Sequence, residues 1–251
     1  MARTAVVTGA SSGLGVEFAR QLAARGADLV LVARDHDALE NVAADIRARH
    51  GRTVEVLAAD LLDTEALAVV EARVAGGVDV LVNNAGFGLD LDFASTGVDD
   101  EVRHLRLHVE VAMRLAHAAL PAMLRRGSGR IVNVASVAGF VPRGTYGAAK
   151  GWLISFSRWA NVAYRSRGVT VTAVCPGFVH TRFHERLGLA PGEEGVPDRL
   201  WLDADRVVRE GLRDAARGRS VSVPSWRYKA LVAGSRLLPD AAVVRAAARG
   251  R

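Results

Sequence analysis

The chain has 251 residues, of which 50% are hydrophobic and 24% charged, a balance typical of one globular domain with a sizeable core. No apolar run reaches the roughly 20 residues that a membrane-spanning helix needs. The amino-terminal run AVVTGA is too short for a signal peptide. A single cysteine, Cys175, excludes a disulfide within the chain and suits a reducing compartment. We therefore expect a cytoplasmic protein.

The net charge of +6 is concentrated in the carboxyl-terminal part of the chain. From Arg206 onward, 11 Lys and Arg residues stand against 3 Asp and Glu residues. Such a segment can be a solvated surface, or it can bind nucleic acid or an anionic membrane. We favour a solvated basic extension over residues 225–251 and expect no nucleic-acid partner. For the mixed apolar and basic stretch 226–239, covering a pocket or contacting a second subunit is favoured over peripheral membrane contact.

The chain begins with a predicted strand, a glycine-rich turn and a helix. Residues 3–8 (RTAVVT) predict a buried strand, and the helical pattern after the turn ends at Gly26. Between them, the spacing Gly9-x3-Gly13-x-Gly15 would let backbone N–H groups approach a pyrophosphate. A tight turn without a ligand explains this stretch equally well. The candidate cofactor-binding residues here are Gly9, Ser11, Ser12, Gly13, Leu14 and Gly15.

The second predicted strand, residues 28–33, ends in Ala33 and is followed by Arg34. In dinucleotide-binding folds an acidic side chain near this position binds the ribose hydroxyls, whereas an arginine accommodates a 2′-phosphate. Ala33 cannot hold a ribose diol, and the planar guanidinium of Arg34 can pair with a phosphate. The pattern therefore favours NADP over NAD, with a solvated strand-end charge as the alternative for Arg34.

A predicted helix over 36–50 leads to a third strand, residues 53–59, which ends at Asp60. Asp60 and Leu61 could flank an adenine ring, with the carboxylate accepting from its amino group. Alternatively, Asp60 caps the helix that follows.

The fourth predicted strand, residues 78–83, runs into Asn83-Asn84-Ala85-Gly86. Small residues at a strand end permit close approach of a ligand, and Asn tolerates left-handed turns. Asn83, Ala85 and Gly86 are therefore candidate cofactor-binding residues, although a simple turn has the same composition.

The stretch with the clearest chemistry follows a predicted helix over 99–126 and a strand over 130–135. Tyr146 and Lys150 are four residues apart, so they share one face of the helix predicted for TYGAAKGWLISFSRWA. A free tyrosine has a pKa of about 10 and is a poor acid at neutral pH, but a nearby ammonium group lowers that pKa. Ser136, at the strand end, could hold a substrate oxygen against Tyr146. Without a cofactor site elsewhere, an ordinary helix with a surface Tyr and Lys is the alternative.

The rest of the chain continues the alternation of strands and helices. A strand over 169–175 precedes the loop Pro176–Thr181, and residues 182–200 predict a mobile segment near the substrate. A helix over about 203–217 and a strand over 220–223 follow. We see no repeat and no metal-ligand cluster in the sequence.

This alternation predicts a doubly wound, Rossmann-type α/β fold with a parallel sheet, in a single domain over residues 1–251. In such sheets ligands bind at the carboxyl ends of the strands. Each of the motifs described above lies at one of those ends.

Together, these residues resemble the short-chain dehydrogenase/reductase family from Thr8 to about Thr181. The matching motifs are Thr8-Gly9-x3-Gly13-x-Gly15, Asn83-Asn84-Ala85-Gly86, Ser136, Tyr146-x3-Lys150 and Pro176-Gly177. The resemblance implies a seven-stranded parallel sheet flanked by helices and an NAD(P) cofactor.

The resemblance also implies roles for individual residues. Tyr146 would be the proton donor or acceptor, Lys150 its pKa-lowering partner and a ribose ligand, and Ser136 the anchor of the substrate oxygen. The residues placed near the nicotinamide are Pro176, Gly177, Val179 and Thr181. The family's rule for the second strand end again implies NADP.

Two departures from the family pattern stand out. Counting thirteen residues back from Pro121 gives His108, where the family usually has an asparagine that holds a water in a proton relay. Histidine can donate and accept, but it titrates near neutral pH. Without the resemblance, His108 would be interpreted as a helix-surface residue. Second, Ser136 and Tyr146 are ten residues apart, where about thirteen is usual.

The resemblance implies an oxidoreductase that uses NADPH to interconvert a carbonyl and an alcohol, in a homodimer or homotetramer formed through two long helices. One alternative is a regulatory or scaffold protein that binds the cofactor without turnover; another is an epimerase or dehydratase on the same scaffold. Intact Ser136, Tyr146 and Lys150 favour turnover. Several apolar residues could line a pocket for a small apolar substrate, although packing in the hydrophobic core would account for them equally well. They are Phe87, Leu89, Phe140, Val141, Phe178 and Phe183.

Overall fold

The computed structural model describes residues 3–89, 93–181 and 196–247, with the side chains of residues 246 and 247 excepted. Within these residues, seven strands form one sheet. They are β1 (Arg3–Thr8), β2 (Ala27–Ala33), β3 (Val54–Ala58), β4 (Val80–Asn83), β5 (Gly129–Val134), β6 (Val169–Val174) and β7 (Val221–Ser222). Their order is β3-β2-β1-β4-β5-β6-β7, and every neighbouring pair is parallel. The predicted fold class is confirmed.

Helices cover both faces of this sheet. They are α1 (Gly13–Ala24), α2 (His36–His50), α3 (Thr64–Ala75), α4 (Val98–Leu105), α5 (Val111–Arg126), α6 (Gly144–Tyr164), α7 (Ala204–Ala216), α8 (Trp226–Ser235) and α9 (Asp240–Ala247).

Two apolar cores result, one on each face of the sheet. On one face α1, α2 and α7 pack on the strands through residues such as Phe18, Leu39 and Val207. On the other face α3 and α5 do so through residues such as Leu67 and Leu115, joined by α6. Because helices cover both faces, the strands are apolar on both sides, which is why they read as continuous runs of Val, Leu and Ala in the sequence.

The single helix predicted over 99–126 is interrupted in the structure. Residues Arg106–Glu110 form a π-helical turn between α4 and α5. Short π-helical insertions of this kind are frequent at functional sites. His108 lies in this turn and is 2% exposed, so its interpretation as a helix-surface residue is wrong.

Parts of the predicted substrate segment and of the basic extension are described. Residues 182–195, including Phe183, lie outside the described residues, and 198–200 form a short 3-10 turn. The basic extension forms α8 and α9, which the sequence pattern did not predict. None of the helices in the described residues combines the length and the apolar character that crossing a bilayer requires.

Candidate active site

The glycine-rich turn forms a narrow cradle at the carboxyl end of β1. Gly9 and Gly13 have positive φ angles of 64° and 56°, and a Cβ on Gly15 would overlap the carbonyl oxygen of Gly9. A Cβ on Gly13 would lie 3.3 Å from Thr181 Cβ, so the turn faces the loop after β6. With no side chains in the way, the first amides of α1 can contact a phosphate group.

Polar groups from β1 and β4 hold this cradle in place. The Thr8 hydroxyl accepts hydrogen bonds from the backbone N–H groups of Asn84 and Ala85, both at 3.0 Å. The Asn84 amide donates to the carbonyl oxygens of Thr8, at 2.9 Å, and Gly9, at 3.2 Å. The sequence analysis did not select Asn84 as a site residue, because only the tertiary structure brings it beside the turn.

Asn83 is directed differently from its neighbour. It is 6% exposed, and its amide donates to the Ala112 carbonyl oxygen at 3.2 Å and to Asn133 Oδ1 at 2.9 Å. Its side chain therefore ties β4 to β5 and α5 beneath the site. Its predicted contact with a cofactor stays a prediction.

The candidates Arg34 and Asp60 follow the carboxyl ends of β2 and β3, which lie on one side of β1 in the sheet. Arg34 is exposed and forms no ion pair within the described part of the chain, so its guanidinium is available to an anion. Asp60 Oδ1 accepts from the Leu62 N–H at 3.0 Å. The residue that caps α3 is Asp63, which accepts from Ala66, so the helix-cap alternative for Asp60 is wrong.

The short loop between β5 and α6 still brings together the two candidate catalytic hydroxyls, those of Ser136 and Tyr146. Ser136 and Tyr146 form a side-chain hydrogen bond, although only ten residues separate them. The loop folds back as a 3-10 turn over Val137–Phe140 and lies directly on α6. A Cβ on Gly139 would stand 2.6 Å from the Lys150 carbonyl carbon, so only glycine permits this contact.

Burial dominates the electrostatics of Tyr146 and Lys150. Burial raises the pKa of Tyr146, against the lowering effects of the Ser136 hydrogen bond and of nearby Arg143. Burial also lowers the pKa of Lys150 from 10.5 to about 7. The expectation that a fully charged Lys150 lowers the pKa of Tyr146 is therefore wrong for the cofactor-free protein. Lys150 Nζ donates to the Val134 carbonyl oxygen at 2.9 Å and stands 5.7 Å from the centre of the Tyr146 ring.

His108 reaches the same place from the π-helical turn. Its Nε2 lies 2.7 Å from the Phe87 carbonyl oxygen and 3.2 Å from the Phe87 nitrogen. The shorter contact favours an Nε2–H that donates to the carbonyl, which leaves Nδ1 as an acceptor. This buried Nδ1 has no partner among the described residues. Burial, then the charge of Lys150, hold the pKa of His108 well below 6.5, as expected in direction.

A second histidine, which the sequence analysis did not select, contacts the first with its ring tilted by 39°. The ring of His104 lies 4.2 Å from that of His108 and 5.8 Å from that of Tyr146. It is 1% exposed, and neither ring nitrogen has a hydrogen-bond partner in the described structure. Burial and Lys150 lower its pKa to about 4. Glu101, one turn earlier, accepts from the Thr145 hydroxyl at 2.6 Å, next to Tyr146.

A small internal cavity lies behind these groups. Its lining includes Asn83, His108 and Lys150, together with Val134 and Ala112. Two of the unpartnered buried atoms, Asn83 Oδ1 and His108 Nδ1, belong to residues that line it. The cavity lining therefore combines apolar side chains with the polar residues Asn83, His108 and Lys150.

The loop after β6 closes the site on the opposite side. Val179 pairs with Leu202 in a parallel bridge, and its side chain is 5% exposed in the apolar core, so only its backbone can face a ligand. Trp201, another residue that the sequence analysis missed, packs on Phe178 at 5.6 Å and on His180 at 4.9 Å between ring centres. The other apolar candidates with described positions, Phe87, Leu89, Phe140 and Val141, are all partly buried.

The geometry thus places two hydrogen-bonded hydroxyls, of Ser136 and Tyr146, and the buried amine of Lys150 near a glycine turn that could accommodate a phosphate. This donor set fits a dinucleotide. Within the described residues, no group of three or more His, Cys, Asp or Glu side chains is arranged to hold a metal ion.

Comparison with known proteins agrees with this arrangement. The sequence pattern of the short chain dehydrogenase family matches residues 3–191. The ketoacyl reductase HetN of a Nostoc species is 34% identical over 183 residues, which make up 70% of this chain and 63% of that protein. A 3-oxoacyl-[acyl-carrier-protein] reductase of Synechocystis is 35% identical, over 78% of this chain and 82% of that protein.

A solved structure shows the same similarity in three dimensions. The short-chain dehydrogenase from Sphingobium yanoikuyae, solved in complex with NADPH, superposes with a TM-score of 0.85 at 35% identity. The match covers 94% of each chain.

Proposed function

The chain belongs to the short-chain dehydrogenase family, and on that premise we propose that it is an NADP(H)-dependent oxidoreductase that interconverts a carbonyl and an alcohol on a small apolar substrate. The observation that carries this proposal is the hydrogen-bonded Ser136–Tyr146 pair, with Lys150 5.7 Å from the Tyr146 ring, beside the glycine cradle. A protein that only binds a cofactor has no need of all three groups.

In the reductive direction, Tyr146 donates its proton to the substrate oxygen. The phenol is protonated at neutral pH and so holds the proton to be transferred, but burial raises its pKa and makes it a weaker acid, so the transfer depends on a nearby cation. Ser136 donates a second hydrogen bond to the same oxygen and so fixes its position. Lys150, with a pKa of about 7, can carry the positive charge that stabilises the phenolate left behind.

Behind Lys150, His108 acts as a neutral hydrogen-bond acceptor in place of the family's asparagine. Its Nε2–H is engaged by the Phe87 carbonyl, so Nδ1 is the nitrogen directed to this role. A proton taken up at Nδ1 would create a buried cation near Lys150, which burial and repulsion both oppose. We therefore propose that His108 orients groups in the cavity by accepting a hydrogen bond and does not store a proton.

When bound, the cofactor supplies the hydride, and the protein supplies binding and orientation. We assign the pyrophosphate to the turn Gly9–Gly15, with Ser11, Ser12 and Leu14 at its rim, and the adenine to Asp60 and Leu61. Arg34 pairs with a 2′-phosphate, which supports NADP. Near the nicotinamide we place Ala85 and Gly86 on one side and Pro176, Gly177, Val179 and Thr181 on the other, with Lys150 on the ribose.

Similarity to a ketoacyl reductase and to a 3-oxoacyl-[acyl-carrier-protein] reductase supports an apolar acyl substrate. The partly buried Phe87, Phe140 and Phe178 and the ring of Trp201 provide apolar walls for it. We also propose that the chain works as one cofactor-binding domain and as a homodimer or homotetramer. Exposed apolar side chains on the two long helices, such as Met113 at 43% and Trp159 at 58%, support contact between copies.

The test is NADPH oxidation, followed by absorbance, against a panel of 3-oxoacyl thioesters, bulky ketones and aldehydes. Tyr146→Phe removes only a hydroxyl, so NADPH should still bind while turnover falls by about 100-fold or more, the scale of general acid catalysis. Tyr164→Phe is the matched control, because this ring packs on Trp159 at the far end of α6. NADPH binding without consumption across the panel would favour the regulatory or scaffold alternative.

A further inference from the structure

The basic extension contributes one buried aromatic ring to the site. Tyr228 is 3% exposed and is the only buried residue of α8, whose other side chains, including Trp226 at 69%, face outward or are partly covered. Ser225, which precedes the helix, is buried with a φ of +83° and is held by its N–H to Glu210. Non-glycine residues keep such backbone angles only where the surrounding structure enforces them.

The ring of Tyr228 lies flat against the loop after β6. A Cβ built on Gly177 would overlap three carbons of this ring. Gly177 does not have a positive φ angle, so its backbone would accept a side chain and only the ring excludes one. Gly177 and Tyr228 therefore fit each other as a pair, although 51 positions of the chain separate them.

The hydroxyl of Tyr228 joins two segments of backbone. It accepts from the Phe178 N–H at 3.0 Å and donates to the Leu200 carbonyl oxygen at 2.7 Å. The same two segments also pair directly, because Leu202 N–H donates to Phe178 at 2.9 Å and His180 N–H donates to Leu202 at 3.0 Å. One side chain from the carboxyl-terminal extension thus fixes the loop on which Pro176, Gly177 and Thr181 stand.

We propose that Tyr228 is a positioning residue for the cofactor, which makes α8 part of the catalytic unit rather than a solvated extension. Tyr228 holds the loop 176–181 close to the glycine turn, so that Thr181 faces Gly13. Through Leu200 it also holds Trp201 against Phe178. This inference rests on the proposed function, because the loop's role in binding NADPH comes from there.

The first experiment measures the Kd of NADPH by fluorescence for the full chain, Tyr228→Phe and the control Tyr164→Phe. Losing the hydroxyl releases two backbone groups, and we expect the Kd to rise about 3- to 10-fold, the scale of one hydrogen bond. The control should bind as the unmodified protein does. A merely structural role would reduce the fraction of folded protein but leave the Kd of that fraction unchanged, which would overturn the proposal.

The second experiment tests the contact itself with Gly177→Ala, Tyr228→Ala and the double variant. Gly177→Ala should raise the Kd of NADPH by about 10-fold or more in the unmodified background and add little when the ring is absent. Thermal unfolding without cofactor should show the same non-additivity. Additive effects in both measurements would overturn the proposal. If the unmodified protein does not bind NADPH, the proposed function fails; if it binds and Tyr228→Phe is silent, only this inference fails.

Discussion

We expect the choice between NADPH and NADH to depend on Arg34. It is exposed at the end of β2, it follows the small Ala33, and no carboxylate pairs with it in the described structure. We expect Arg34→Ala to remove most of a preference for NADPH over NADH. One charge-assisted contact contributes about 1.5–3 kcal/mol, or roughly 10- to 150-fold in affinity. Dissociation constants for both cofactors test this, and equal affinities in the unmodified protein would sink the assignment to NADP.

We expect His108 to give the proposed reaction an acid limb. Its folded-state pKa lies well below 6.5, so it is neutral at pH 7 and gains its proton only in acid. That proton would occupy the acceptor nitrogen and place a cation near Lys150. We therefore expect turnover to fall in acid, with an apparent pKa below the ordinary histidine value, because burial and the charge of Lys150 lower the pKa of His108.

Variants of His108 separate this effect from other titrations nearby. His108→Asn should keep activity and lose the acid limb, because asparagine does not titrate, whereas His108→Leu should slow proton transfer with NADPH binding intact. His104, with a pKa of about 4, still titrates at lower pH in both variants. A pH profile of kcat/KM that is the same in the Asn variant, with a fully active Leu variant, would show that His108 only fills space.

Among the secondary-structure elements, the 3-10 turn between β5 and α6 explains how a short loop serves the site. Gly139 lies within van der Waals distance of the α6 backbone at Lys150 and Gly151. This close approach lets ten residues span the path between Ser136 and Tyr146 that the family usually covers with about thirteen. The loop can therefore be short because residue 139 is a glycine, which has no side chain to separate the turn from α6.

Gly139→Ala should push this turn away from α6 and separate the two hydroxyls. Its Cβ would stand 2.6 Å and 2.7 Å from backbone atoms, which cannot yield as a flexible side chain would. We expect kcat to fall about 10-fold or more, since small misplacements of catalytic groups are costly, while the Kd of NADPH changes little. Gly234→Ala, at a position with open space around it, is the control. An active Gly139→Ala variant would mean that the Ser136–Tyr146 geometry tolerates this shift.

For the whole molecule, the buried Lys150 makes stability depend on pH. Its pKa is about 7 when folded and 10.5 when unfolded, so the unfolded chain binds more protons between these values. The free energy of unfolding therefore rises with pH in this window. Above pH 9 the buried Cys175 thiol, whose pKa is raised to about 12, opposes the trend because the folded state then retains the extra proton.

We expect the cofactor-free protein to gain about 2 kcal/mol between pH 7 and pH 9. Denaturant unfolding at several pH values measures this gain. Lys150→Met keeps the chain length and the apolar stem but removes the titrating group, so its curve should be flat over the same range. A Met variant with the same slope as the unmodified protein would assign the effect to another group.

The sequence by itself determined the sheet, most helix bounds and the positions of the motifs at the strand ends, where the candidate site forms. Short runs of Val and Leu are typical of parallel strands that are buried on both faces. The glycine spacing after the first strand marks the turn into the first helix. The helix predicted over 36–50 occurs as His36–His50, because Asp35 caps one end and Gly51, with a φ of +60°, ends the other. Strand runs, turn glycines and helix caps depend on neighbouring residues, so they can be predicted from the sequence.

What the tertiary structure alone decided are contacts between distant segments and the effects of burial. The pairing of Tyr228 with Gly177 and of Asn84 with Thr8 joins residues that no local pattern connects. His108 is buried because it lies in the π-helical turn. The four-residue spacing of His104 and His108 was the one sequence signal that could have predicted the contact between their rings. The spacing of Tyr146 and Lys150 suggests a lowered tyrosine pKa, but burial raises the pKa of Tyr146 and lowers that of Lys150 to about 7. Desolvation depends on everything packed around a group, and here it outweighs a single charge nearby.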